Sequence, residues 1–187
     1  MRKRIAPADS RHQPYNRCMT VIETERLSLQ QLTEADDAFI LELLNDAAFV
    51  EHIGDRGVRT REQAREYLRN GPIASYRQHG FGLYRVALKR SGERVGICGL
   101  LKRDTLVDVD IGYALLPCWR GKGLAREASL AVLGHAQAVI GLKRIIAIVS
   151  PANDASIRVL EGIGLRADGM IRVGDATEPA RLFAWQA

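Results

Sequence analysis

The sequence is poor in cysteine and histidine, and it contains no long apolar run. Cys18, Cys98 and Cys118 are an odd number without metal-ligand spacing, and the four histidines are scattered. These patterns indicate neither a disulfide framework nor a zinc site. No stretch approaches the roughly eighteen apolar residues of a membrane-spanning helix, and no apolar segment follows the basic N-terminus as in a signal peptide. We therefore expect a cytoplasmic protein that holds no metal and does not bind a membrane.

The positive charge is concentrated at the N-terminus. Residues 1–18 contain five basic residues and one acidic residue, which gives +4 of the formal net charge of +5. The rest of the chain is nearly neutral, and its 47% hydrophobic content suffices for a core. We expect residues 1–18 to be a disordered basic arm and residues 19–187 to be a single domain. Nucleic-acid binding through the arm is a less favoured alternative.

A predicted strand, a glycine-rich turn and a helix follow one another near the middle of the chain. Asp108 and Asp110 alternate with apolar residues, which predicts a strand, and Pro117 ends its pairing. Gly121 and Gly123 then precede an apolar helical stripe. The first amides of a helix lack internal partners, and glycine lets an anion approach the backbone. The turn therefore predicts a phosphate site, although glycine at such turns also has a purely steric explanation.

The strand and helix pattern of the remaining chain is readable from alternation and from capping residues. The residue pair Gly71 and Pro72 is expected to interrupt one helix. Predicted strands cover 26–30, 82–89, 94–102, 108–116, 144–149, 165–173 and 180–186, the last two forming a hairpin, and predicted helices cover 33–44, 60–77 and 124–139, with a short one before 162 and a loop at 50–58. This order predicts an α/β fold with a mixed sheet and helices on both faces.

The glycine turn does not fit the two commonest phosphate-binding patterns. A P-loop needs Ser or Thr after Gly-Lys, but Gly123 follows Lys122, and the dinucleotide pattern needs a third glycine where Arg126 stands. The run RGKGLA at 120–125 does match the (Gln/Arg)-x-x-Gly-x-(Gly/Ala) turn of the GNAT superfamily of N-acetyltransferases. The run SPANDAS at 150–156, between a β-branched strand and a short helix, resembles the asparagine segment of the same family.

The resemblance implies a fold and a donor substrate. The fold would be GNAT-like, with a central, mostly antiparallel sheet of about seven strands and helices on both faces. The donor would be acetyl-coenzyme A, held by the glycine turn, by the splayed end of the central strand and by the asparagine segment. The cofactor-binding residues that the resemblance implies are Ala114, Leu115, Leu116, Arg120, Gly121, Lys122, Gly123, Leu124, Ala125, Asn153 and Ser156.

Ser156 is the candidate acid that protonates the leaving thiolate. Many family members place a tyrosine seven residues after the asparagine, where this chain has Leu160, which has no proton to donate. The subgroup that acetylates the N-termini of ribosomal proteins (RimJ/RimL-like) has a serine three residues after it, as Ser156 lies here after Asn153. The alternative is that Ser156 is an ordinary capping residue of the short helix.

Asp110 is the candidate base for the acceptor amine. It lies ten residues before Arg120, at a strand position from which a carboxylate serves as base in some family members. The alternative is a solvent-facing acid on an alternating strand, sharing its face with Asp108. Glu51 and His52, in the expected acceptor-pocket loop, are weaker candidates.

The resemblance implies an enzyme that moves an acetyl group from acetyl-coenzyme A to a primary amine by direct attack in a ternary complex, as a monomer or homodimer. The sequence leaves the acceptor open among a protein N-terminus, an aminoglycoside, a polyamine and an amino acid. A non-catalytic acyl-coenzyme A sensing domain is the alternative that Leu160 favours.

Overall fold

The computed structural model describes residues 19–173 and 178–187. Eight strands form one sheet in the order β1-β2-β3-β4-β5-β6-β8-β7. The strands are β1 (Thr20–Glu23), β2 (Leu27–Gln31), β3 (Leu83–Leu88), β4 (Arg94–Leu101), β5 (Val109–Leu115), β6 (Arg144–Val149), β7 (Arg166–Ile171) and β8 (Ala180–Gln186). All neighbours pair antiparallel except β5 and β6, which are parallel. The mixed, mostly antiparallel sheet is thus confirmed.

Six α-helices accompany the sheet in the described residues. They are α1 (Asp37–Leu44), α2 (Ala47–His52), α3 (Arg61–Leu68), α4 (Ala74–His79), α5 (Leu124–His135) and α6 (Asp154–Gly162). A wider π turn at Arg69–Ile73 joins α3 to α4, and another at Ala136–Ile140 extends α5. None of these helices is long and apolar enough to cross a membrane.

The core consists of two apolar clusters on opposite faces of the sheet. Cys98 belongs to a cluster that includes the buried residues of α5 and α6, whereas Ile97, its neighbour on β4, belongs to the cluster of α1, α2 and α3. Successive residues of a strand point to opposite faces. Helices therefore cover both faces, as the sequence predicts.

The structure corrects two details of the predicted elements and confirms a third. The sheet has eight strands rather than about seven, because the short edge strand β1 was not predicted. Residues 50–52 belong to α2, a six-residue helix that is too short to show a periodic signal in the sequence. The expected interruption at Gly71 and Pro72 is confirmed: α3 ends at Leu68, and the π turn carries the chain past a residue that lacks an N–H donor before α4 begins at Ala74.

Deletion of residues 1–18 is expected to leave the melting temperature and the turnover of the domain unchanged. These residues and the hairpin tip at 174–177 lie outside the described residues, and the sequence of 1–18 has no pattern able to bury a core. Thermal unfolding and thiol-release assays on the full-length and truncated proteins provide the measurement. A large drop in melting temperature after truncation would contradict the assignment of the domain to residues 19–187.

Candidate functional site

A cavity of about 650 Å³ opens between β5 and β6 and reaches the glycine turn before α5. It is lined by residues of β5, β6, α2, α3, α5 and α6 and of the connecting loops. The cavity therefore joins the two segments, 120–125 and 150–156, that the sequence singled out.

The cavity exists because β5 and β6 separate. The two strands pair only at Val109 with Ile145 and at Asp110 with Ile146, although β5 continues to Leu115 and β6 to Val149. The other edge of β5 stays paired with β4 as far as Leu115. The strand edge that faces β6 beyond Asp110 is thus open to a ligand, a splay that sequence patterns cannot show.

The predicted strand positions lie differently with respect to this cleft. Ala114 and Leu115 line the cavity. Leu116 is 7% exposed and packs in the apolar cluster of α1, α2 and α3. Its backbone N–H donates to the carbonyl of Val95 at 2.9 Å, so this amide is already used.

The glycine turn presents its backbone to the cavity. Gly121 and Gly123 have φ of +73° and +75°, the left-handed region in which other residues are strained. Gly123 is the N-cap of α5, which begins at Leu124. Both glycines, Leu124 and Ala125 line the cavity, so the backbone of the turn and the first amides of α5, which have no partner within the helix, border this space.

The charged side chains of the turn are engaged elsewhere. Arg120 donates through Nε to the carbonyl of Leu115 at 3.0 Å, and its guanidinium pairs with Asp46, the N-cap of α2. Lys122 places Nζ 4.5 Å from the ring centroid of Trp119. Arg120 thus joins the end of β5 to α2 and forms part of the cavity wall.

Two other arginines near the turn were not predicted. Arg126, in the first turn of α5, and Arg158, on α6, both line the cavity. Arg126 also donates through Nε to the carbonyl of Gly162 at 3.2 Å, which links α5 to the end of α6. The sequence signal for Arg126 was its place directly after the glycine turn. Arg158 had no such signal, because α6 approaches the glycine turn only in the folded protein.

Hydrogen bonds to the Glu127 carboxylate connect the start of α5 to the segment between β1 and β2. Glu127 accepts hydrogen bonds from Arg26 Nε at 2.6 Å, from the Arg26 backbone N–H at 3.0 Å and from Thr24 Oγ1 at 2.5 Å. Burial acts to raise the pKa of Glu127, but the hydrogen bonds from Thr24 and Arg26 outweigh it and lower the pKa. Arg26 also donates to the carbonyl of Lys122 at 3.1 Å. The turn is therefore fixed to the connection between β1 and β2.

Asn153, not Ser156, caps α6. The side-chain oxygen of Asn153 accepts the backbone N–H of Ser156 at 3.0 Å. The hydroxyl of Ser156 lies 2.7 Å from the hydroxyl of Tyr113 on β5. The alternative that Ser156 itself is the capping residue is wrong, because its hydroxyl faces the strand instead of the helix amides.

Tyr113 is the residue near the cleft that sequence reasoning missed. Its hydroxyl donates to the Ser156 carbonyl at 3.0 Å, with the Ser156 hydroxyl as a second partner. Burial raises the pKa of Tyr113 to about 12, and the hydrogen bond with Ser156 only partly opposes this. Tyr113 therefore stays protonated at neutral pH. Leu160, 2% exposed, also lines the cavity and brings no donor.

Asp110 is buried in the cavity wall and is not solvent-facing, so that alternative is wrong. It is 2% exposed, and Arg103 donates to its carboxylate through Nε at 3.1 Å and Nη2 at 3.0 Å. Burial raises the pKa of Asp110 although Arg103 acts to lower it. Asp108 instead pairs with Arg144 at 3.0 Å and does not line the cavity.

The remaining candidates separate in the same way. His52 lines the cavity from the end of α2, together with Phe49 and Tyr67, whereas Glu51 is exposed and points elsewhere. Cys118 is exposed outside the cavity lining. The residues that the structure describes contain no group of three or more His, Cys, Asp or Glu side chains able to hold a metal ion.

Comparison with known proteins adds two sequence findings. The family model described as "Acetyltransferase (GNAT) domain" matches residues 26–166, which include the glycine turn and the asparagine segment. YkkB of Bacillus subtilis (strain 168) is 30% identical over 156 residues, which are 82% of this chain and 89% of YkkB.

Solved structures resemble the fold over nearly their whole length. A GNAT-family acetyltransferase from Bacillus anthracis has a TM-score of 0.74 at 27% identity and covers 88% of this chain and 97% of its own. RimL, a ribosomal L7/L12 α-N-protein acetyltransferase solved in complex with coenzyme A, has a TM-score of 0.76 at 17% identity, covering 87% and 95%. The likeness to RimL is one of fold alone.

Proposed function

The chain belongs to the GNAT acetyltransferase family and is an acetyltransferase, and from this premise we propose that it moves the acetyl group of acetyl-coenzyme A to a primary amine. The amine nitrogen attacks the thioester carbon directly in a ternary complex, and the carbon–sulfur bond then breaks. One observation carries the proposal: a single cavity connects the glycine turn, the open edge of β5 and the Tyr113–Ser156 pair.

The donor binds along this cavity from phosphate to thioester. The backbone amides of 121–125 bind the pyrophosphate, since they have no helical partners and carry the positive end of the helix dipole. Arg126 and Arg158 add positive charge on the same wall. The pantetheine amides pair with the open edge of β5, where Tyr113 and Leu115 direct their backbone groups away from β4, as an added strand would.

An amide N–H on this open edge stabilises the transition state of the reaction. As the amine attacks, negative charge develops on the thioester oxygen, and a fixed N–H donor stabilises that charge more than water does. The end of β5 beyond Asp110 is the part of the sheet whose outward amides have no strand partner on the β6 side. This supports a role for the outward backbone amides near the end of β5, with no side chain needed for the oxyanion.

Ser156 protonates the leaving thiolate, and Tyr113 supports it. The proton passes from Ser156 Oγ to sulfur, while the Tyr113 hydroxyl, 2.7 Å away, turns from the Ser156 carbonyl to donate to Oγ. The raised pKa of Tyr113 keeps this donor protonated. A thiolate with a pKa near ~8.5 gains from such a donor at neutral pH. The pair takes the place of the tyrosine that other family members carry at the position of Leu160.

The experiment that tests the proposal follows thiol release from acetyl-coenzyme A with a panel of amines. The panel contains peptide N-termini, free amino acids, spermidine and an aminoglycoside, and calorimetry measures donor binding separately. We expect donor binding without any acceptor and thiol release with at least one amine. Binding without thiol release across the whole panel would contradict transfer to an amine.

Asp110→Asn is expected to lower kcat/KM for an α-amine acceptor about tenfold at pH 7. An α-amino group of pKa ~8 is only about one-tenth neutral at pH 7. A base makes up for this small neutral fraction by removing the proton of the amine. Burial raises the pKa of Asp110, so its carboxylate becomes protonated at a higher pH than an ordinary carboxyl group. The wild-type rate should therefore fall as the pH is lowered through this raised pKa, and the profile of Asp110→Asn should lack this fall. Rate–pH profiles of both proteins provide the measurement.

Asp108→Asn is the matched control for this change. Asp108 lies two residues earlier and is paired with an arginine as Asp110 is, but it does not line the cavity. We expect its profile to match the wild type. Equal rate losses in the two variants would assign a structural role to Asp110.

A further inference from the structure

The acceptor end of the cavity carries more positive than negative charge. We define this end by Phe49, His52, Arg56, Tyr67 and Arg103, which line the cavity from α2, α3 and two loops. Asp110 is the only carboxylate among the residues that line the cavity in the described chain, and Arg103 already binds it through two nitrogens. The Nη1 of Arg103 makes no hydrogen bond to the described residues. No acidic group is left there to bind a second cation.

Arg56 is a cation without a partner at this end. Its neighbour Arg59 pairs with Asp55 at 2.5 Å, and Arg61 pairs with Asp37 at 2.8 Å. Among residues 19–173 and 178–187, by contrast, no carboxylate pairs with Arg56, which is exposed at the rim of the cavity. The arginines around it have structural partners, and Arg56 is left available to a ligand.

Tyr67 lines the acceptor end together with the two arginines. Burial raises the pKa of its hydroxyl, while the charges of Arg56 and Arg103 act to lower it. A phenol hydroxyl and two guanidinium groups around one space form a set of hydrogen-bond donors suited to an anion with several oxygens.

We propose that the acceptor of this acetyltransferase is an amine that carries a carboxylate close to its amino group, and that Arg56 and Tyr67 bind this carboxylate. The proposal rests on the proposed function and specifies its acceptor. Guanidinium groups match the planar geometry of a carboxylate with paired hydrogen bonds. Polyamines and aminoglycosides carry several positive charges and no anion, so the acceptor end repels them.

The test compares acceptors that differ in one carboxylate. Seryl-glutamate amide and seryl-glutamine amide share the same N-terminal amine, and serine and serinamide form a second pair, with rates corrected for the fraction of neutral amine. Spermidine and an aminoglycoside serve as cationic acceptors. We expect kcat/KM to be about tenfold higher for the carboxylate member of at least one pair, the usual scale of a hydrogen bond to a charged group. The pair that shows the preference identifies a peptide side chain or a free amino acid as the source.

Arg56→Gln is expected to remove most of this preference. The ratio of kcat/KM between the members of the preferred pair should fall about tenfold through KM, since binding alone changes. Arg90→Gln is the matched control, because Arg90 is exposed in the turn between β3 and β4, far from the cavity lining. Its ratio should equal that of the wild type. The proposal is overturned if the wild type has the same kcat/KM for both members of each pair, or if it turns over spermidine or the aminoglycoside fastest.

Product binding separates this inference from the proposed function. With coenzyme A bound, calorimetry compares N-acetyl-seryl-glutamate amide with N-acetyl-seryl-glutamine amide, and N-acetylserine with N-acetylserinamide. These measurements need no turnover. Tighter binding of the acidic product that is lost in Arg56→Gln supports the carboxylate site, whether or not any amine releases thiol. A lack of thiol release would contradict only the transfer reaction. Equal affinities within both product pairs overturn the carboxylate site and leave the transfer reaction standing.

Discussion

Gly123→Asp is expected to weaken acetyl-coenzyme A binding by about 100-fold or more, because the pyrophosphate loses charge-assisted hydrogen bonds to the backbone and meets a carboxylate. Gly123 caps α5 with φ of +75°, and a Cβ there would lie 3.6 Å from Arg26 Nη2. The substitution therefore adds a negative charge at the N-cap of α5, beside the first amides of the helix, and disturbs the contact of the turn with Arg26. Calorimetry with acetyl-coenzyme A on the folded variant measures the effect.

Gly92→Asp is the matched control for that substitution. Gly92 has φ of +72° in the turn between β3 and β4, and a Cβ there meets no atom within 4 Å. Each variant gains one negative charge and the same left-handed strain, about 1–2 kcal/mol, but only Gly123 lines the cavity. Unchanged donor affinity in a folded Gly123→Asp protein would remove the basis for placing pyrophosphate at this turn.

Ser156→Ala is expected to lower turnover by about 10²-fold with little change in donor affinity, the usual scale for a positioned acid. The loss of its hydrogen bond to Tyr113 should cost only about 1 kcal/mol of unfolding free energy. The cap of α6 stays intact, since Asn153 provides it. Steady-state rates and thermal unfolding on the same protein provide both values.

Tyr113→Phe tests whether the two hydroxyls act together. If Tyr113 donates to Ser156 during proton transfer, the single variants and the double variant should show similar rates, because residues that act as a unit are not additive. If the rate losses of the two single variants multiply in the double variant, the two hydroxyls have independent roles. A Ser156→Ala protein with reduced stability but normal turnover would refute the assignment of the acid.

The order of strands and helices could be predicted because each long element repeats its apolar residues at a fixed interval. The range 144–149 and the start of α5 at Leu124 agree with the structure to the residue. β1 and α2 were missed because four and six residues are too few to show a period. The interruption at Pro72 was predictable from its missing N–H, but its form as a π turn was not.

The candidate site was predictable where backbone conformation follows from residue type, and not where a side chain chooses among partners. Gly121 and Gly123 adopt the left-handed conformation that only glycine takes without strain. The sequence could not show that Arg120 binds Asp46, since 74 positions separate them. It also could not show that Asp110 is buried, because alternation along β5 predicts which residues share a face but not what covers that face.

The hydrogen bonds of Glu127 connect distant parts of the chain into one unit of local unfolding. Thr24 and Arg26 belong to the first hairpin, whereas the Lys122 carbonyl belongs to the glycine turn and Glu127 to the first turn of α5, about a hundred positions later. Opening the hairpin must release the turn, so a polyanion bound to the turn raises the free energy of that opening. Amide hydrogens of the β1–β2 connection should thus exchange more slowly with solvent when acetyl-coenzyme A is bound, although they do not touch it.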